Sequence, residues 1–312
     1  MQGLNVYIYP TDRDWYSFLS RRRDLDEVNF WRPGGKQRFG LLTPGDLLLF
    51  RLGKPDNAIA GGGVYTHFSF APLFQAWEAF GEKNGTASYN SFLDLVARYR
   101  KFEGPPDQVS SAIIGCIVLT APFFLTRERW IPVPREYEVN SPQGQRFDAA
   151  LGVGRQLLEA VQDAVRLEHV TRVSEGIGEP VRFGESVVRR RLGQGGFSLI
   201  VSDAYEKRCA VTGERTMPVL EAAHIIPVDQ GGMHRPDNGL LLRSDIHKLF
   251  DRGYVTIQPN GAFRVSHKLR EDWHNGRVYY EFDGQDIRLP TRTPLRPGRE
   301  FLEWHNDTVF KG

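Results

Sequence analysis

The segment Cys209–Ile257 constrains the fold and the chemistry of this chain more than any other part. It reads CAVTGERTMPVLEAAHIIPVDQGGMHRPDNGLLLRSDIHKLFDRGYVTI. VLEAAHII is typical of a strand that reaches His224, and the following polar stretch through Gly239 is typical of a loop. LLLRSDIHKLFDRG predicts a helix that carries His247 and ends at Gly253. We therefore expect a strand, a loop and a helix, in that order.

Histidines are concentrated in this part of the chain, because six of the eight lie at or after residue 224. An imidazole on a strand and another on a packed helix can converge on one point. There one can hold a divalent cation, while the other, kept neutral, deprotonates a water molecule. Asn238 is expected to brace the loop, since an Asn side chain satisfies backbone groups at tight turns. The pattern thus predicts a hydrolytic site with His224, Asn238 and His247.

The segment resembles the HNH, or ββα-metal, nuclease family, in the branch whose motif reads AAHI, then NG, then LLLR.DIH.LFD. The resemblance covers about residues 197–310. It implies that His224 is the general base that activates water, that Asn238 orients the loop, and that His247 binds the catalytic metal. The cofactor would be one Mg²⁺ or Mn²⁺ ion, which stabilises the phosphorane-like transition state and the leaving 3′-oxygen.

Two features depart from the family pattern. Many relatives have Asp or His directly before the general base as a second metal ligand, where this chain has Ala223; Glu221 could replace it, or water could fill the position. Many relatives also have two CxxC pairs that bind a structural zinc. Here the first pair is reduced to Cys209, and the second reads Arg243 and Ile246. We therefore expect no structural zinc, because a tetrahedral site needs four good ligands.

The other late histidines lie outside this motif. His234 could approach a phosphate or the metal, but we expect it to be a solvated loop residue. His267, His274 and His305 are expected to be structural or exposed at the surface.

The first 150 residues have the pattern of a β-rich domain with helical insertions. Short apolar runs at 4–10, 45–53 and 58–68 alternate with turn signals, and NSFLDLVARYR at 90–100 has helical spacing. The pattern F..L.PGD..LF, followed by I.G.G, resembles PUA-superfamily barrels of the EVE and ASCH type over about residues 5–140.

This second resemblance implies a β-barrel that holds a flipped, modified base in an aromatic pocket. An extruded base must regain its lost stacking on aromatic faces and satisfy its polar edge. Each aromatic residue could instead belong to the core. Our candidates for the pocket are Trp31, Phe39, Tyr65 and Trp77.

Between the two halves, residues 154–170 predict an amphipathic helix, and an Arg- and Gly-rich stretch follows it. Arg189, Arg190 and Arg191 are expected to contact DNA phosphates, because such contacts supply most sequence-independent affinity; a solvated linker is the alternative. The expected α+β organisation is a PUA-like β-barrel recognition domain at 1–150, a helix and linker at 151–196, and a ββα-metal nuclease domain at 197–312.

Composition limits the class of protein. The 40 Lys and Arg residues against 38 Asp and Glu leave a net charge of +2, which excludes a polybasic tail but not local nucleic-acid binding. Cys116 and Cys209 are too isolated for a disulfide scaffold. The apolar stretch from Ala112 is too short for a bilayer, and the N-terminus lacks an export signal. We expect a cytoplasmic protein with no membrane partner.

Together these features predict a modification-dependent DNA endonuclease. It would recognise methyl- or hydroxymethylcytosine in double-stranded DNA by base flipping and hydrolyse a nearby phosphodiester. Because one HNH site cuts one strand, double-strand cleavage suggests a homodimer or two nicking events. Two alternatives stay open: an HNH restriction endonuclease that reads an unmodified sequence, and a nucleic-acid-binding protein with a degenerate nuclease, which Ala223 would explain.

Overall fold

The structure is a computed structural model that describes residues 3–22, 24–102, 109–138, 144–174 and 192–312, without the side chains of 169–174. The chain divides into two compact units, Met1–Gly196 and Phe197–Gly312. The predicted mixed α+β class is confirmed. The three arginines expected to contact DNA, at 189–191, lie outside the described residues.

The first unit is built on one seven-stranded sheet whose strands come largely from the short apolar runs. The strands are β1 (Asn5–Thr11), β2 (Glu27–Arg32), β3 (Leu47–Leu52), β4 (Ala58–Pro72), β5 (Ile113–Phe124), β6 (Ile131–Pro132) and β7 (Gln145–Asp148). Their order is β2-β5-β4-β3-β1-β7, and β6 pairs with β4. β1 and β3 run parallel, whereas the other pairs are antiparallel.

Alternating side chains give this sheet two apolar faces. In β3, Leu48 belongs to one core cluster and Leu49 to the other. Trp15 of helix α1 (Arg13–Ser20) lies in the first cluster, and Val161 of helix α4 (Gly152–Ser174) lies in the second. Helices α2 (Leu73–Phe80) and α3 (Tyr89–Arg100) follow β4.

The second unit has one core, around which short helices and two small antiparallel sheets pack. Its core includes Phe197, Ile246 and Phe250. Helix α5 (Gln194–Ala204) contains the boundary between the units. The further elements are β8 (Leu220–His224), β9 (Gly239–Arg243), α6 (Ser244–Asp251), β10 (Val255–Ile257), β11 (Phe263–Val265), α7 (Lys268–Trp273), α8 (Arg277–Tyr280) and α9 (Arg299–Thr308).

The sequence prediction was wrong about the three leucines before Arg243. It placed them in the helix, but they lie in β9, which pairs antiparallel with β8 so that His224 faces Gly239. Helix α6 begins only at Ser244. A short run of apolar residues fits a strand or a buried helix equally well by periodicity, and here pairing with β8 decides. The segment that carries His224, Asn238 and His247 therefore consists of two strands, β8 and β9, followed by helix α6.

Among the described residues, the structure contains no helix with both the length and the apolar character needed to cross a membrane.

Candidate active site

His224 is the last residue of β8, and its ring stacks on Phe197 with centroids 3.9 Å apart and planes 8° from parallel. The close approach of β9 makes this stacking possible. At Gly239, opposite His224, a Cβ atom would lie 2.5 Å from Cγ2 of Val201 and 2.9 Å from the Phe197 ring. The glycine of the NG pair is therefore required by space, since any side chain would displace the helix that carries Phe197.

The surroundings of His224 keep its imidazole neutral. Burial is the main cause that lowers the pKa of His224 to about 4, and the neighbouring imidazoles of His234 and His247 contribute. Near pH 7 the ring thus has a lone pair that can accept a proton. Its Nε2 lies 3.0 Å from Nδ1 of His234, whereas Nδ1 has no hydrogen-bond partner among the described residues.

Asn238 is 1% exposed and holds together the two ends of the loop between β8 and β9. Its Oδ1 accepts a hydrogen bond from the backbone N–H of Ile226 at 2.9 Å. Its Nδ2 donates to the carbonyl oxygens of Ile226 at 3.0 Å and Met233 at 3.1 Å. An amide is suited to this position because it both accepts and donates. The side chain thereby orders the loop beside His224.

His247 lies on α6 between two carboxylates. Its Nδ1 is 2.6 Å from Oε2 of Glu221 on β8, and its Nε2 is 3.4 Å from Oδ2 of Asp251, one helical turn further along α6. Burial raises the pKa of Asp251, and the charge of Glu221 raises it further, while His247 opposes both. The structure thus brings Glu221 to His247. Ala223, where the HNH resemblance would place a second metal ligand, is buried and has no side-chain atom that can bind a metal.

This donor set fits a divalent ion. Carboxylate oxygens suit Mg²⁺ and Mn²⁺, and imidazole nitrogen is a common ligand of transition-metal ions. Among the described residues, no three His, Cys, Asp or Glu side chains are grouped closely enough to hold a metal ion on their own. An ion at Glu221 and His247 would therefore need further oxygen ligands, and catalytic ions commonly take these from water and substrate.

Cys209 is buried beside Arg243. Its sulfur accepts hydrogen bonds from the backbone N–H groups of Thr212 at 3.5 Å and Arg243 at 3.3 Å. The guanidinium of Arg243 in turn pairs with Asp245 through two bonds, 2.7 and 2.8 Å long. These contacts join the β8–β9 sheet to the start of α6.

His234 is the residue that sequence reasoning missed. We expected a solvated loop histidine, but its ring packs against both His224 and Phe197, with centroids 5.0 and 5.9 Å away. The loop sequence has no periodicity that could reveal such a contact. The only signal was a third histidine ten residues after His224.

The first unit contains a separate candidate site, a cavity of about 340 Å³ in which five of the ten lining residues are aromatic. Trp31 is part of its wall, and the indole is held by a 3.0 Å hydrogen bond from Nε1 to the carbonyl of Asn84. Polar groups are also present, since Asp12 and Arg32 contribute to the lining. The aromatic lining residues are Tyr9, Trp15, Phe30, Trp31 and Tyr99.

The other three proposed pocket aromatics lie elsewhere in the first unit. Phe39 and Tyr65 are 2% and 5% exposed in the core, with ring centroids 6.0 Å apart. Phe39 also borders a second cavity, which shares Tyr9 and Arg32 with the first. Trp77 packs on Phe92, with centroids 6.2 Å apart, and is not among the residues that line either cavity. Tyr9 and Tyr99 were not anticipated from the sequence.

Residues 209–258 match the family model described as HNH endonuclease. Among solved structures, ASCH from Zymomonas mobilis has a TM-score of 0.32 and 12% identity, covering 52% of this chain and 94% of its own. A point mutant of that protein has a TM-score of 0.34 and 10% identity, covering 49% and 96%. The modification-dependent TagI restriction endonuclease has a TM-score of 0.29 and 13% identity, covering 99% and 82%. No match was found among curated proteins.

Proposed function

From the match of residues 209–258 to the HNH endonuclease family model, and from the geometry around His224, we propose that the chain is a modification-dependent DNA endonuclease. Its first unit binds a flipped, modified cytosine, methyl- or hydroxymethylcytosine, in double-stranded DNA. Its second unit hydrolyses a nearby phosphodiester.

The placement of the His224 ring, stacked on Phe197 with Nε2 beside His234, is the observation that carries the hydrolytic part of this proposal. Nε2 of His224 lies 3.0 Å from Nδ1 of His234, and Nδ1 of His224 has no hydrogen-bond partner among the described residues, so Nδ1 is the nitrogen that a water molecule can reach. His224 takes a proton from a water molecule as the water oxygen attacks phosphorus. The bond from phosphorus to the 3′-oxygen then breaks, and that oxygen leaves as the 3′-hydroxyl after taking a proton from solvent.

Glu221 and His247 would hold the divalent ion, with Asp251 next to His247. When bound, Mg²⁺ or Mn²⁺ stabilises the negative charge that develops on the phosphate and on the leaving oxygen. Asn238 keeps the loop in place beside His224, so that this base keeps its position while DNA enters.

The aromatic cavity of the first unit supports the recognition part. Its volume of about 340 Å³ lies within the range of small-ligand sites. Tyr9, Trp31 and Tyr99 offer faces on which an extruded base can stack, while Asp12 and Arg32 can meet its polar edge. We further propose that two protomers, or two successive nicks, produce a double-strand break.

Cleavage of matched duplexes tests the proposal. Identical DNA with cytosine, methylcytosine or hydroxymethylcytosine is incubated with Mg²⁺ or Mn²⁺, and the products are separated by size. Cutting of modified DNA alone supports the proposal. Equal cutting of all three would favour an enzyme that reads an unmodified sequence. Binding without any cutting would favour a degenerate nuclease.

A matched pair of tryptophan variants tests the cavity. Trp31→Ala removes a cavity wall, and stacking on one base contributes about 1–3 kcal/mol, so cleavage of modified DNA should fall about 5- to 160-fold. Trp77→Ala removes the same side chain outside the cavity and should retain the preference for modified DNA. Equal effects of the two substitutions would place base recognition elsewhere.

A further inference from the structure

We propose that His234 is a positioning residue that fixes the tautomer and the orientation of the His224 base. This inference rests on the proposed nuclease function. His234 accepts the hydrogen bond from Nε2–H of His224 at its own Nδ1, and thereby leaves the lone pair of His224 at Nδ1, where water is deprotonated.

The contact between the two rings determines which nitrogen of His224 can act as the base. Nε2 of His224 and Nδ1 of His234 are 3.0 Å apart, so one nitrogen must donate and the other accept. If His234 donated, Nε2 of His224 would be the acceptor, and the proton on its Nδ1 would block that nitrogen. Only when His224 donates does its ring stay neutral and keep a lone pair, on Nδ1, that does not face His234.

The residues directly before and after His234 in the sequence are both held by contacts within the second unit. On one side, the carbonyl of Met233 accepts a hydrogen bond from Nδ2 of Asn238 at 3.1 Å. On the other side, Nε of Arg235 donates to Asp237 at 2.9 Å, and its guanidinium lies 5.4 Å above the ring of Phe301. A residue fixed in this way can orient its neighbour at little entropic cost, because its conformation is set before substrate binds.

The same hydrogen bond favours the proton-transfer step. When Nδ1 of His224 takes the proton from water, His224 becomes an imidazolium with protons on both nitrogens. Its Nε2–H is then a charged donor to His234, and such bonds are about twice as strong as neutral ones. A neutral His234 that accepts this bond stabilises the imidazolium, whereas a protonated His234 would repel it, which is how this neighbour lowers the pKa of His224. After cleavage the proton leaves from Nδ1 to solvent.

Two substitutions of similar size distinguish the role of His234 as a hydrogen-bond acceptor from its role in packing. His234→Asn places Oδ1 near the position of Nδ1 and keeps an acceptor, whereas His234→Leu keeps the size and removes it. We expect His234→Leu to lower kcat about 10-fold or more. The loss should not exceed the roughly 10²- to 10⁴-fold that the general base itself contributes. KM and DNA affinity in metal-free buffer should not change, and His234→Asn should retain most of kcat. A rise in KM instead would indicate a phosphate contact, and equal losses in both variants would refute the role as acceptor.

The tautomer itself can be observed without cleavage, which separates this inference from the proposed function. Long-range ¹H–¹⁵N spectra of histidine-labelled protein, with His224 assigned by comparison with His224→Gln, should show the Nε2–H tautomer in the wild type and its loss in His234→Leu. A wild-type Nδ1–H tautomer would overturn the inference even if DNA is cut. The Nε2–H tautomer in a protein that cuts no DNA would refute the nuclease proposal and leave the contact standing.

Discussion

The surroundings of His224 and of His305, both in the second unit, are alike in two respects. His224 stacks on Phe197 with centroids 3.9 Å apart, and His305 stacks on Phe250 with centroids 3.7 Å apart. Burial is the main cause that lowers the pKa of each histidine to about 4. Stacking and a lowered pKa therefore do not by themselves distinguish a base from a core residue.

The ring nitrogens show the difference. His305 is 2% exposed, its Nδ1 lies 2.8 Å from the hydroxyl of Thr256, and its Nε2 lies 3.1 Å from the carbonyl of Phe250. Since a carbonyl only accepts, Nε2 of His305 carries the proton and Nδ1 accepts from Thr256. Both nitrogens of His305 are occupied, whereas Nδ1 of His224 has no hydrogen-bond partner in the described part of the chain. An unoccupied nitrogen, rather than the pKa alone, indicates the base.

The largest expected effect is the loss of cleavage in His224→Ala. Removal of the general base should lower kcat by about 10²- to 10⁴-fold, while DNA affinity in metal-free buffer stays near that of the wild type. Rates and binding isotherms on the same duplex measure both quantities. If binding is lost together with cleavage, His224 is a structural residue like His305 and the distinction between them fails.

His305→Leu should affect stability instead of cleavage. Without the imidazole, the hydroxyl of Thr256 and the carbonyl of Phe250 lose a buried partner, and the free energy of unfolding should fall by about 2–4 kcal/mol. Urea unfolding measures this change, and the exposed His267→Ala is the control, with an expected change within about 0.5 kcal/mol. Below the unfolding transition kcat should stay the same. A fall in kcat with intact stability would give His305 a part in the reaction.

Acid should destabilise the fold through His305. The pKa of His305 is about 4 in the folded state and about 6.5 in the unfolded chain. Below about pH 6.5 the unfolded chain therefore binds a proton at His305 more readily than the folded state does, and this favours unfolding. The contribution of His305 to stability is complete above about pH 6.5 and decreases as the pH falls toward 4, by about 3 kcal/mol in all. Urea unfolding at several pH values should show a flatter dependence in His305→Leu than in the wild type. Identical slopes would mean that other groups cause the acid sensitivity.

The sequence predicted more of the second unit than of the first because its signals there were local. The local motif and its resemblance to the HNH family selected His224, Asn238 and His247. The structure places His224 at the end of β8, Asn238 at the end of the loop and His247 within α6. The error over the leucines of β9 arose because a short apolar run carries no decisive period. The ring contact of His234 depends on loop conformation, which residue type does not specify.

The cavity of the first unit could be predicted only in part because its wall comes from segments far apart in sequence. Trp31 was one of the four aromatic residues proposed from the sequence, and it is the only one of the four that lines this cavity. Tyr9 on β1 and Tyr99 on α3 reach the same cavity through tertiary packing, which no local pattern shows. Phe39 and Tyr65 are aromatic residues of the same kind in the core. Aromatic character alone therefore did not separate a wall residue from a core residue.

The smallest expected effect comes from a matched pair of asparagine variants, one near each histidine. Asn238→Asp keeps the acceptor for Ile226 N–H but loses the two donors to the carbonyls of Ile226 and Met233. Asn306→Asp likewise loses two donors, to the carbonyls of Ile257 and Leu302. Each change should lower the free energy of unfolding by about 2 kcal/mol.

Only Asn238→Asp should also lower kcat, and by less than His224→Ala, because Met233 precedes the histidine that contacts the base. Urea unfolding and cleavage rates of both variants check this difference. If Asn306→Asp lowers kcat to the same extent, then a general loosening of the second unit explains the effect. If neither variant lowers kcat, the loop does not need its amide brace to present His224, and the base is held by its stacking on Phe197 alone.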